Sequence, residues 1–212
     1  MKSDNLLVIF VVGVILIVLI NISVVFIKIS DFEREMSGLV SSGYVNLSVN
    51  TIMTINLTRA SLNWGSGRVN AGNSTGAILY TSGNKDGTVI GGSWTGSGVN
   101  GFIVENIGNI NASLKLKTGK NASDIFAGSS GSNQEYKLNV TNKEPGSCSG
   151  GVVLGEWVDV NVTSPGTKYC NQFSPLLGSN EIFVDVWLKV PYDTSNLGTQ
   201  SDILTITASA AT

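Results

Sequence analysis

Histidine is absent from this 212-residue chain, and its absence removes the commonest catalytic arrangements. Without an imidazole there is no Ser-His-Asp or Cys-His relay and no histidine ligand for a metal. The segment GGSWT, from Gly91 to Thr95, begins like the nucleophile elbow of a serine hydrolase but lacks the final glycine. We therefore expect a protein that is not an enzyme.

Carboxylates on predicted strands are the remaining candidates for acid–base chemistry. A glycosidase needs two such groups about 5–10 Å apart in a cleft. Ordinary solvated strand faces explain these residues more simply than a catalytic cluster does. The carboxylates in question are Glu156, Asp159, Glu181 and Asp185.

Oxygen-bearing side chains in turn-like segments are the candidates for metal binding. Calcium is held by oxygen ligands alone, and Asn84, Asp86, Asp193 and Asp202 would supply them. No D-x-D-x-D-G loop is present. We expect no cofactor, with a structural calcium ion as the open alternative.

Tryptophans beside the predicted strands have two interpretations. Their rings could form a platform for sugars, but large aromatic side chains next to alternating strands favour a place in the core. The four residues are Trp64, Trp94, Trp157 and Trp187.

The two cysteines and the glycosylation sequons both indicate a location outside the cytosol. Cys148 and Cys170 are an isolated pair, which favours a disulfide over two free buried thiols. Asn-x-Ser/Thr sequons are potential sites of N-glycosylation. They occur at Asn46, Asn56, Asn73, Asn111, Asn121, Asn139 and Asn161, with another at Asn21.

The charge of the chain gives no reason to bind nucleic acid. Thirteen Lys and Arg residues oppose 15 Asp and Glu residues, so the formal net charge is −2. Charged residues make up 13% of the chain, about half the ~25% usual for soluble domains. This composition is typical of an extracytoplasmic β-rich protein.

An apolar stretch near the amino terminus predicts a membrane anchor. After a short flank at residues 1–5, the segment 6–28 is long enough, at ~1.5 Å per residue, to cross a ~30 Å hydrocarbon core. It continues without a small-x-small cleavage site, which favours an uncleaved signal anchor over a signal peptide. Residues 29–43 then predict an amphipathic stalk. The apolar residues expected to form an assembly surface are Leu6, Ile9, Val12, Leu16, Leu19, Phe32 and Met36.

Residues 44–212 predict one antiparallel β-sandwich domain, because the strands are separated by turns rather than by crossover helices. The clearest alternation of apolar and polar residues runs from Tyr44 to Thr58, which predicts a long first strand, part of it free to pair with a neighbour. Later predicted strands are Ala77–Thr81, Thr88–Ile90, Ser93–Thr95, Phe102–Asn106, Ala112–Lys117, Tyr136–Thr141, Glu156–Thr163, Glu181–Val190 and Ile203–Ala208.

Three short motifs accompany this layout: VENIGN at 104–109, VPYDT at 190–194 and SDILTITA at 201–208. With an anchor helix, a stalk and a sequon-rich β domain, the chain resembles archaeal surface-filament subunits of the pilin and archaellin type. Its ending is also similar to that of secreted fibre-forming proteins of the TasA and camelysin type. The resemblance implies a β domain displayed at the cell surface and assembled with other copies.

The sequence thus predicts a single-pass membrane protein with its carboxy-terminal domain outside the cell. Its expected partners are membrane lipid and copies of itself or other surface proteins. The expected function is structural, as a subunit of a pilus-like filament or cell-envelope assembly. The alternative is a monomeric adhesin or glycan-binding module on the same tether.

Overall fold

The computed structural model describes residues 10–23, 47–127, 134–151 and 153–211. The chain divides into two compact units, Met1–Val49 and Asn50–Thr212. In the first unit, residues 10–23 form helix α1. Within the described part of the chain, no helix has both the length and the apolar character that crossing a membrane requires. The predicted flank at 1–5, both ends of the predicted anchor (6–9 and 24–28) and the predicted stalk at 29–43 lie outside the described residues.

The second unit is built mainly of strands. They are β1 (Ile55–Arg59), β2 (Gly67–Val69), β3 (Ala77–Ser82), β4 (Lys85–Ile90), β5 (Gly92–Trp94), β6 (Phe102–Asn106), β7 (Ala112–Thr118), β8 (Glu135–Asn142), β9 (Cys148–Ser149), β10 (Val158–Asp159), β11 (Thr167–Phe173), β12 (Glu181–Val190) and β13 (Leu204–Ala210). One short helix, α2 (Ala122–Ile125), follows β7 and begins at the N-cap residue Asn121.

The strands form two large antiparallel sheets and one small one. The seven-stranded sheet has the order β1-β6-β12-β3-β4, with β8 paired to β12 and β10 paired to β8. The four-stranded sheet has the order β13-β7-β11-β9, and β2 pairs with β5. Strand β12 is central, because β8 covers one side of it while β6 and β3 share the other. The prediction of a mainly β protein with antiparallel sheets is confirmed.

One hydrophobic cluster contains side chains from both large sheets. Val140, Ile182 and Val184 of the seven-stranded sheet and Leu114 and Phe173 of the four-stranded sheet are all completely buried. Burying a side chain of this size contributes about 1.5–3 kcal/mol. Alternation along β12 explains which side chains point inward, since Ile182, Val184 and Val186 are buried on one face of the strand.

The long first strand is shorter than predicted. It runs from Ile55 to Arg59 instead of from Tyr44, and its register shifts between Leu57 and Arg59. Before it, the backbone N–H of Ile52 donates to Oδ1 of Asn109 at 2.7 Å, and the backbone N–H groups of Asn109 and Ile107 donate to the carbonyls of Ile52 and Thr54. Leu57 is 38% exposed because β1 lies at the sheet edge. Residues 44–46 lie outside the described residues.

Other segments also differ from the sequence prediction, and β2 and β9 were not among the predicted strands. Only Val158–Asp159 of the predicted strand Glu156–Thr163 is a strand, and it pairs with β8 over two residues. Strand β11 was not predicted, because TKYCNQF mixes polar and apolar residues without strict alternation. Its strand conformation follows from pairing with β7 on one side and β9 on the other.

Candidate functional site

A shallow groove of about 470 Å³ lies on the seven-stranded sheet, against strands β3, β8 and β12. The tip of the β3–β4 hairpin, from Ser82 to Lys85, forms one wall. The remaining lining residues include three aromatic side chains and several amides, hydroxyls and one buried carboxylate. Aromatic rings combined with a few polar groups are typical of ligand sites. The groove is therefore the candidate site of the described residues.

The strand register explains which side chains meet in the groove. Asn139 of β8 is directly opposite Asp185 of β12. Extending the β10–β8 register by one residue places Trp157 opposite Asn139 on its other side. Directly opposed residues have Cβ atoms about 4.5–5.5 Å apart on the same face. Trp157, Asn139 and Asp185 therefore form a row across the sheet.

Asp185 is a buried carboxylate, only 4% exposed. Its Oδ1 accepts hydrogen bonds from Thr81 Oγ1 at 2.8 Å and from the backbone N–H of Gly83 at 2.7 Å. Its Oδ2 accepts no hydrogen bond from any described residue, and this oxygen remains accessible to solvent. A Cβ on Gly101 would lie 2.3 Å from Oδ1, so a glycine is needed there for the close approach. Asp185 thus presents one unused acceptor to the groove.

An aromatic group borders Asp185. Tyr80 and Trp187 stack with their ring centroids 5.4 Å apart and an interplanar angle of 24°. Trp157 reaches across β8 to within 5.7 Å of Trp187, in a tilted arrangement. The expectation that the tryptophans pack in the core is wrong, because Trp157 is 36% exposed and the other three are half-buried. That two of them lie on one outer surface of the sheet depends on strand register and is not visible in the sequence pattern.

The sequons differ in whether their amide nitrogen is available. Nδ2 of Asn73 donates to the carbonyls of Gly76 at 2.6 Å and of Gly91 at 3.0 Å, so this side chain holds a turn. Nδ2 of Asn111 donates weakly to Gln172 at 3.4 Å. At four further sequons, Nδ2 donates to no described residue. These are Asn56, Asn121, Asn139 and Asn161; Asn46 lies outside the described residues.

The predicted cysteine pair is close in space. The sulfur atoms of Cys148 and Cys170 lie 2.06 Å apart, at disulfide distance, and join β9 to β11. Both residues are buried.

The four candidate carboxylates have different surroundings. Glu181 forms an ion pair with Lys143, while Glu156 and Asp159 are exposed. Of the predicted calcium residues, Asn84 uses its Oδ1 to accept a hydrogen bond from Arg59 at 2.9 Å. Among the described residues, no three His, Cys, Asp or Glu side chains form a metal-binding group.

Two buried tyrosines have raised pKa values. Burial raises the pKa of Tyr136, and the carboxylate of Asp202 adds to that effect. Burial raises the pKa of Tyr169 to about 12, with a smaller contribution from Asp159. Both side chains therefore stay neutral across the physiological range.

The predicted assembly surface is described only in part. Val12, Leu16 and Leu19 lie on α1, where each is between 51% and 57% exposed. Leu6, Ile9, Phe32 and Met36 lie outside the described residues.

Comparison with known proteins found no matching family model, no matching curated protein and no matching solved structure.

Proposed function

We propose that this chain is a membrane-anchored surface protein whose copies assemble into a filament or envelope layer. The residue 6–28 segment would hold it in the membrane, and the β-sandwich of the second unit would lie outside the cell. The paired cysteines, the sequons with free amides and the low charge content support the extracytoplasmic placement. The observation that carries the assembly proposal is the unprotected edge strand β13.

Helix α1 supports the anchoring part of the proposal. Its large apolar side chains are exposed on every side, from Phe10 to Ile22. A helix that is apolar all round needs lipid or other helices to cover it. Asn21 Nδ2 donates to the carbonyl of Ile17 at 2.8 Å, and Ser23 Oγ donates to that of Leu19 at 2.9 Å. The amide nitrogen of Asn21 and the hydroxyl of Ser23 therefore have partners within the helix, as an apolar surrounding favours.

Strand β13 supports the assembly part. In its sheet it pairs with β7 alone among the described residues, over seven consecutive residues and without a register shift. Its sequence, LTITASA, contains no charge, proline or glycine. Natural edge strands are normally protected from pairing with another strand by charged side chains, by proline or by a β-bulge. An unprotected edge of this length is a site for pairing with another strand.

The other edges of the two large sheets have such protection. Strand β1 has a register shift and Arg59. Strand β4 carries Lys85 and Asp86. Strands β9 and β10 are only two residues long. This contrast selects β13 as the contact edge.

The partner that β13 fits is a second β13. An antiparallel pair centred on Thr207 matches every residue of the strand, with hydroxyls facing hydroxyls and large apolar side chains facing small ones. Such pairs are favourable in sheets. The matched pairs are Thr207 with Thr207, Thr205 with Ser209, Ile206 with Ala208 and Leu204 with Ala210. This contact is two-fold and closes on itself, so a filament or layer also needs a second contact, for which we propose the apolar helix.

Register-specific cross-linking tests the contact. In the full-length protein in detergent, we expect Thr207→Cys to form a disulfide-linked dimer, because Thr207 faces its own copy within the Cα distance a disulfide requires. Thr205→Cys is the matched control. Its own copy would lie about 14 Å away, which is four residues along the partner strand, so it should not cross-link alone. Mixing Thr205→Cys with Ser209→Cys should restore a heterodimer on a non-reducing gel.

Two outcomes distinguish an error in the proposed contact edge from an error in the proposed assembly function. If Thr207→Cys stays monomeric while electron microscopy shows assemblies of the unmodified protein, β13 is not the contact edge. If the unmodified protein remains monomeric in membranes at high concentration, the assembly function itself is wrong. Thr207→Lys should disperse assemblies by placing two ammonium groups face to face, whereas Thr88→Lys on the already charged β4 edge should not.

A further inference from the structure

Asn139 lies between the aromatic residue Trp157 and Asp185, whose Oδ2 accepts no hydrogen bond from the described residues. Its side chain lines the groove between Trp157 on one side and Asp185 on the other, as the register requires. Thr141, which completes the Asn-Val-Thr sequon, lines the same groove opposite Phe183. Both sequon side chains therefore face outward from one strand into one groove.

The two ends of the Asn139 amide have different surroundings. Oδ1 is enclosed and has no hydrogen-bond partner among the described residues. Nδ2 donates no hydrogen bond to any described residue, and it remains accessible to solvent. Nδ2 of Asn139 and Oδ2 of Asp185 are therefore both without a hydrogen-bond partner among the described residues, on two directly opposed residues that line the groove.

The shape of the groove favours an attached occupant over a free one. Small-molecule sites normally enclose most of their ligand. A groove this shallow would hold a free sugar weakly, whereas a covalent link gives the sugar a millimolar effective concentration at the site. The sequon supplies such a link within the groove itself.

We infer that Asn139 carries an N-linked glycan whose first pyranose ring occupies this groove. The apolar face of the ring packs on Trp157, and a ring hydroxyl donates to Oδ2 of Asp185. The inference rests on the extracytoplasmic placement in the proposed function. The glycan would cover the aromatic surface and keep it from non-specific contacts at the cell surface.

The modification needs a sugar donor of the polyprenyl-phosphate-linked class. The bond between the sugar C1 and the phosphate oxygen breaks, and a bond from C1 to Nδ2 of Asn139 forms. Nδ2 loses one proton, and the polyprenyl phosphate or diphosphate leaves. Because Asn139 lies in the paired strand β8, the transfer must precede folding.

Site-specific mass spectrometry tests the modification. Trypsin cleaves after Lys137 and Lys143 and releases LNVTNK, a peptide with this sequon alone. In protein from a host that glycosylates exported chains, we expect this peptide to carry a glycan. Finding it unmodified while the Asn161 peptide is modified overturns the inference and leaves the extracytoplasmic placement intact. Finding no sequon modified would overturn the inference together with the proposed extracytoplasmic placement on which it rests.

A variant cycle tests the packing of the sugar. Thr141→Val abolishes the sequon but leaves Asn139 in place, and we expect it to lower the melting temperature by about 2–4 °C. In a Trp157→Ala background the same change should have less than half this effect. Thr163→Val, which removes the Asn161 sequon outside the groove, is the matched control. Its effect should not depend on Trp157.

Non-glycosylated protein completes the test. There, Thr141→Val should leave the melting temperature nearly unchanged, because no sugar is lost. An equal loss in both forms would mean that Thr141 acts through its own packing and would overturn the inference. Specific binding of a free saccharide to the unmodified groove would also overturn it, in favour of an external glycan.

Discussion

At the scale of single residues, Tyr169 links core packing to the pH dependence of stability. It is 1% exposed, on β11, and burial raises its pKa to about 12 from an ordinary value near 10. Between these two values the unfolded chain loses the phenolic proton while the folded chain keeps it. The folded protein is therefore destabilised as pH rises from 10 to 12, and the full contribution is present below pH 10.

We expect the melting temperature to fall between pH 10 and 12, and Tyr169→Phe to reduce the fall, because phenylalanine has no proton to lose. Circular dichroism melts at half-unit pH steps measure this. Part of the loss should persist in the variant, since the pKa of Tyr136 is also raised. Tyr192→Phe is the control, because it removes a phenolic hydroxyl from a side chain that is 58% exposed. Identical profiles for all three proteins would contradict the assignment.

At the scale of elements, Asn106 joins the two large sheets. It ends β6 in the seven-stranded sheet and is completely buried. Its Nδ2 donates to the carbonyl of Phe173, on β11 of the other sheet, at 2.8 Å and to that of Ile110 at 3.1 Å. Its Oδ1 accepts from the N–H of Gly108 at 3.0 Å. One side chain thus satisfies three backbone groups at the point where the chain crosses between sheets.

We expect Asn106→Ala to lower the free energy of unfolding by about 3 kcal/mol, because buried backbone groups lose their partners. Urea unfolding followed by tryptophan fluorescence measures the loss. Asn109→Ala is the matched control, since Asn109 also bonds to backbone, at Asn50 and Ile52, but is exposed. It should cost less than half as much. Equal costs would mean that burial does not determine the role of Asn106.

Regular alternation made some elements predictable from sequence. Strands β6 and β12 have the predicted bounds, because apolar side chains of both meet one core. Strand β11 was missed because its polar residues hide its pattern, and its conformation depends on neighbours distant in the chain. The alternation from Tyr44 likewise overstated β1, which begins only at Ile55.

The candidate groove was not predictable in the same way. The sequence pattern gives each of its residues a separate interpretation: Asn139 as a sequon, Asp185 as a carboxylate and Trp157 as a core aromatic. Their meeting depends on the register of three strands, of which β10 is only two residues long. A sequence pattern fixes which face of a strand is buried, but it does not fix which strand lies beside it.

At the scale of the whole molecule, the proposed anchor and the proposed β13 contact depend on different parts of the chain. An apolar helix carrying an extracytoplasmic domain has to stay in lipid when soluble partners are removed. A charged side chain at the centre of such a helix costs about 2.5–3.5 kcal/mol for insertion. We therefore expect Val12→Asp with Leu16→Asp to move the full-length protein from the carbonate-resistant membrane fraction to the soluble fraction. Immunoblotting of the two fractions measures the shift.

The control places the same charge on an apolar residue outside the helix. Leu177→Asp changes a side chain that is 96% exposed in the β unit, so it should leave the protein in the membrane fraction. If the double variant stays in the membrane, residues 6–28 are not the anchor, and the helix is free to act only between copies. If the unaltered protein is itself soluble after carbonate treatment, anchoring fails while the β13 contact still stands on its own test. The proposed anchor and the proposed β13 contact are thus separable, because one depends on lipid-compatible side chains and the other on the edge of a sheet.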